Sequence, residues 1–127
     1  MAWSPTRASP APYSPPDSVI PASPLPGALL SGGTANRGLV IRVGDTVLRP
    51  AAPRWRATHA LLAHLAAVGF DGAPRVLAVS EATEMLTYID GQAAVPPLPE
   101  DTLTDAALVS VADLLRRYHK AASSFDP

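Results

Sequence analysis

Nine arginines, one lysine, three histidines and a pair of adjacent glycines are the groups in this 127-residue chain with chemistry to offer. Gly32 and Gly33 lack side chains. Backbone N–H groups there can approach phosphate oxygens, or the pair simply turns the chain between two strands. Asn36 can hydrogen-bond that turn or a phosphate. Arg49 carries a planar fork that binds phosphate bidentately, or else it is a solvated charge at a strand end. His59, His64 and His119 are too scattered for a metal site and are expected on helix surfaces or half-buried. The chain has no cysteine, which excludes disulfides, Cys-ligated zinc and thiol nucleophiles. Ten Lys plus Arg against 11 Asp plus Glu leave a net charge of -1. The basic excess that drives nucleic-acid binding is missing, so no nucleic-acid partner is expected.

These groups need elements to hold them. Eight of the 15 prolines fall between Pro5 and Pro26. Proline removes amide donors, so residues 1–27 read as a disordered Pro/Ser/Ala-rich arm, with Pro12 to Pro15 also fitting P-x-x-P. Without the arm, about 100 residues remain, enough for one small core. Ala28 to Ser31 and Gly38 to Val43 read as strands flanking the glycine turn. Gly44-Asp45 makes a two-residue hairpin into Thr46 to Arg49, which Pro50 and Pro53 terminate. Residues 54–68 read as a helix with Leu61, Leu62, Leu65 and Val68 on one stripe and Gly69 as its C-terminal cap. Residues 74–80 and 84–89 read as two further strands, joined by a short turn at 81–83.

After Asp90-Gly91 comes a connector with Pro96, Pro97 and Pro99, then a helix over 104–122. Its seam of Leu108, Val111, Leu115, Tyr118 and Ala122 is spaced 3, 4, 3, 4. The expected class is therefore α+β: a five-stranded antiparallel sheet with one packed helix, then a further helix. The expected division is 1–27, 28–91 and 92–127. The longest apolar run, Ala57 to Val68, is interrupted by His59 and His64 and is too short to span a bilayer. The start lacks the apolar stretch of a signal peptide, so a cytoplasmic location without membrane contact is expected.

The order and punctuation of these segments resemble the amino-terminal lobe of the aminoglycoside phosphotransferase family, small-molecule kinases with a protein-kinase-like fold. The residues that carry it are Leu30-Ser-Gly-Gly-Thr-Ala-Asn36, Ile41-Arg-Val-Gly-Asp-Thr-Val-Leu-Arg-Pro50 and His59-Ala-Leu-Leu-Ala-His-Leu65. Gly69-Phe-Asp-Gly-Ala-Pro-Arg-Val-Leu77, Thr87-Tyr-Ile-Asp-Gly91 and Leu114-Leu-Arg-Arg-Tyr-His119 complete it. The resemblance covers about residues 28–126 and implies a kinase-like nucleotide lobe binding ATP or GTP. It implies that Gly32, Gly33 and Asn36 line the phosphates and that Arg49 takes the place of the third-strand lysine that reaches them. It also implies that Tyr88 and Ile89 sit at the hinge, where backbone groups read the base.

Two departures matter. No acidic residue lies between Asp45 and Asp71, so the helix cannot supply the Glu that usually pairs with that third-strand cation. No H-G-D-x-x-x-x-N loop and no magnesium-binding Asp follow His119, so no residue here is assigned to catalysis or to metal, and Mg2+ would belong to a full-length parent. The leading expectation is a truncated, phosphotransferase-like fragment, inactive alone, whose parent transfers a phosphoryl group to a small-molecule hydroxyl. The alternative is a non-catalytic α+β interaction module that dimerises or docks a partner through Leu108, Val111, Leu115 and Tyr118. A third reading is a reading frame with no activity.

Overall fold

The structure is a computed structural model that describes residues 27–30, 40–80 and 82–127. Residues 1–26 of the proline-rich arm, Gly32, Gly33 and Asn36 lie outside the described residues. The chain is α+β, with an antiparallel sheet and two helices in the order expected. Strands β2 (Ile41–Val43), β3 (Thr46–Pro50), β4 (Val76–Val79) and β5 (Thr83–Thr87) form the body of the sheet. A two-residue strand, β1 (Ala28–Leu29), pairs along the outer edge of β2. The spatial order is β1-β2-β3-β5-β4. The last hairpin thus folds back so that β5 inserts beside β3, while β4 takes the edge.

Local chemistry explains the hairpin and the helix end. Gly44 sits at φ 59, which a residue with a Cβ resists, and Thr46 Oγ1 donates to the Val43 carbonyl at 2.8 Å to close the turn. Helix α1 (Trp55–Ala67) ends on Gly69, whose φ is 80. The Gly69 N–H bonds the Ala66 carbonyl at 3.1 Å, and the Phe70 N–H bonds the Leu65 carbonyl at 2.9 Å. That pair of bonds is a Schellman closure, and it satisfies carbonyls that the helix end would leave bare. The apolar stripe of α1 is rotated from the expected one. Leu65 and His59 are buried, whereas Val68, the C-cap residue, is 48% exposed.

Helix α2 (Asp105–Ala122) begins at Thr104, whose hydroxyl accepts the Ala107 N–H at 3.1 Å. Its last turn and a half docks on the end of α1. His64 Nε2 lies 3.0 Å from the Ala121 carbonyl, Tyr118 meets Phe70 at 6.0 Å between ring centroids, and Arg117 bonds Asp71 at 3.1 Å. Earlier in the helix, Leu114 lies close to Gly72. Leu108, Val111 and Leu115 are 69%, 54% and 50% exposed. The seam therefore splits: Tyr118 and Ala122 are partly covered by docking, and the earlier positions are open. Off that seam, a side-chain hydrogen bond from Arg116 holds the Asp113 carboxyl below its usual range, with a smaller contribution from the nearby Arg117 charge. Among the described residues, no helix is long and apolar enough to cross a membrane.

Among the described residues, the buried side chains are Leu65, Ala78 and Leu86 together with His59 and Glu84. Two polar groups in so small a core must answer each other, because a buried charge without a partner is costly.

Candidate functional site

In an antiparallel ladder, residues directly opposite one another point to the same face. Arg42 stands opposite Val47, which stands opposite Leu86, and Arg49 stands opposite Glu84. One face of the sheet therefore carries Arg42, Val47, Arg49, Glu84 and Leu86, and α1 lays His59 against it. The carboxylate of Glu84 is the centre of this arrangement. Its Oε1 accepts from Arg49 Nε, and its Oε2 is bonded to His59 Nε2. Three elements, β3, β5 and α1, are tied through one side chain.

Exposure runs in one direction across the group. His59 is fully buried, the Glu84 side chain is 4% exposed, and the Arg49 side chain is 36% exposed. His59 was expected on a helix surface or half-buried, and the structure corrects that: the carboxylate gives the imidazole a polar partner inside the core. Trp55, one turn earlier on α1, packs against it with ring centroids 5.1 Å apart. Arg49 spends Nε on Glu84, and among the described residues its two terminal nitrogens take no hydrogen bond. A guanidinium has five donors and no acceptor, so such an arginine is equipped to bind an anion at the rim.

At the other end of the same face, the Arg42 guanidinium lies 3.6 Å from the centroid of the Tyr88 ring and donates from Nε to the Gly44 carbonyl at 2.9 Å. The Tyr88 N–H is given to the Asp45 carbonyl at 2.8 Å. The Tyr88 carbonyl and the Ile89 backbone make no hydrogen bond among the described residues, and Ile89 is 55% exposed. Strand β5 stops at Thr87, two residues earlier than expected, so Tyr88 and Ile89 lie in the segment that leaves the sheet.

Of the residues singled out in the sequence, Arg49 and Tyr88 share the face built around Glu84. Gly32, Gly33 and Asn36 lie outside the described residues. The sequence reading missed Glu84 and gave His59 no part in the site. A signal for Glu84 was present: it lies two residues before Leu86, an inward position of a strand, where a carboxylate demands a cation. For His59 the signal was its place three residues before Leu62 on the helical stripe. Arg49 is paired with a carboxylate of β5, Glu84, and α1 itself contains no acidic residue. Among the described residues, no three His, Asp or Glu side chains are grouped to hold a metal ion.

No family profile matches the chain, and no solved structure matches it. Among curated proteins, the chain is similar to a trifolitoxin immunity protein of Rhizobium leguminosarum bv. trifolii, 34% identical over 102 residues. The match covers 77% of this chain but 36% of that protein, so the chain spans about a third of the length of the curated relative.

Proposed function

We propose that residues 28–91 act as the nucleotide lobe of a phosphotransferase-like protein, the kinase-like architecture implied by the resemblance to aminoglycoside phosphotransferases. In this reading the lobe binds ATP or GTP in the cytoplasm, with the phosphates at Arg49 and at the Gly32-Gly33 backbone beside Asn36. The Tyr88 carbonyl and the Ile89 backbone border the base. The observation that carries the reading is Arg49, on the third strand, anchored by a buried carboxylate while its side chain is 36% exposed. Phosphoryl transfer rests on positioning and electrostatic stabilisation, and this lobe would supply the positioning half. Metal-binding carboxylates and the catalytic Asp would come from a longer parent. Isothermal titration with ATP and GTP is the test. Weak binding that is lost in Arg49→Ala supports the assignment, and binding that survives the substitution refutes it.

The open stripe of α2 favours a second reading, an interaction module. Leu108, Val111 and Leu115 offer a contiguous apolar surface to a partner or to a second copy. The matched relative is named for immunity, and a protective protein can act by binding a partner as well as by catalysis.

A further inference from the structure

Resting on the nucleotide-lobe reading, we infer that Glu84 and His59 are positioning residues that aim Arg49 at a polyphosphate and couple that aim to helix α1. An arginine side chain is long and flexible, and an exposed one samples many rotamers. Here the backbone ladder sets Glu84 directly opposite Arg49, so the carboxylate is delivered by the sheet itself. Its second oxygen is held by His59, so the carboxylate cannot swing away. A carboxylate accepts at both oxygens, so the His59 Nε2 position carries the N–H. Arg49 binds through Nε, so its two terminal nitrogens stay available on a side chain that is 36% exposed.

Charge adds a second reason. A carboxylate bonded to Arg49 alone would cancel much of the positive potential an anion needs. Sharing the carboxylate with His59 draws part of its acceptor strength into the core and leaves Arg49 the more effective cation. The arrangement also makes α1 part of the site. The helix has no acidic residue to offer and instead contributes the residue that locks the carboxylate. A shift of α1 against the sheet would therefore loosen Glu84, and with it Arg49.

The test uses the full 127-residue chain and inorganic tripolyphosphate, a probe without a base. Affinity is measured by titration calorimetry, with thermal melting in parallel. Arg49→Ala is expected to weaken binding by about tenfold or more, the worth of one charge-assisted hydrogen bond. His59→Leu is expected to weaken it several-fold. His59→Gln, whose amide nitrogen can replace the Nε2 donor, is expected to restore most of the loss. A residue that only fills space would show no such rescue. Nitrogen-15 spectra of the Arg49 Nε–H give a ligand-free readout: its resonance is expected to remain sharp in His59→Gln and to broaden in His59→Leu and in Glu84→Gln. If Arg49→Ala weakens binding while both His59 variants match the wild type, the positioning role is wrong and the phosphate site stands. If Arg49→Ala changes nothing, both fall.

Discussion

Arg49 and Glu84 meet directly across β3 and β5, 35 residues apart in sequence, with the arginine at the rim and the carboxylate inside. The carboxylate also holds His59 from α1, 25 residues before it. A cluster of this kind stabilises only while all its members are present. Deleting one partner of a buried pair leaves polar groups stranded, whereas replacing the whole group with packed apolar side chains is often neutral.

Glu84→Leu is therefore expected to cost about 3 kcal/mol, at the low end for a buried ion pair because Arg49 can turn towards water. Glu84→Leu combined with His59→Leu is expected to be more stable than Glu84→Leu alone, since the imidazole no longer faces an apolar wall. Urea denaturation of the three proteins measures both steps. A double variant less stable than the single one would show that the carboxylate is not the group His59 depends on.

The 127-residue chain alone is expected to give no phosphorylated product from ATP, magnesium and an aminoglycoside. In the proposed reading Arg49 would meet the phosphates, while the 127 residues contain no H-G-D-x-x-x-x-N segment. Radiolabelled ATP with rigorously purified chain is the assay. Product formation that disappears in Arg49→Ala would refute the expectation.

Leu108, Val111 and Leu115 are expected to drive concentration-dependent self-association. Each such side chain gains on the order of 1.5–3 kcal/mol when fully buried, and all three are at least half exposed in the single chain. Sedimentation velocity across a concentration series should show the change, and Leu108→Glu with Leu115→Glu should abolish it. A monodisperse monomer at all concentrations, unchanged by the double substitution, would rule this surface out as a self-interface.

Thr104→Ala is expected to cost about 1 kcal/mol, because the Ala107 N–H would lose its acceptor at the start of α2. Circular dichroism should show reduced helicity from fraying at that end. Thr104→Asp should restore it, since a carboxylate both caps and suits the positive end of the helix dipole. Equal helicity in all three proteins would mean that the cap contributes nothing measurable.

The sequence alone determined the pieces whose signals are local. The Gly44-Asp45 hairpin, the Gly69 helix stop and the two helices follow from glycine conformation, proline chemistry and 3.6-residue periodicity, each contained within a few neighbours. The open stripe on α2 was equally legible, because spacing alone places Leu108, Val111 and Leu115 on one side. Arg49 could be placed on its strand in the same way. What surrounds it could not. Helix composition showed that α1 had no carboxylate to give, but only the tertiary structure decided that β5 would insert beside β3 and bring Glu84 opposite Arg49. The burial of His59 followed from that same decision, since a histidine enters a core only where a partner waits. Strand order and cross-strand register depend on which distant segments bury their apolar faces together, and no local pattern encodes that choice.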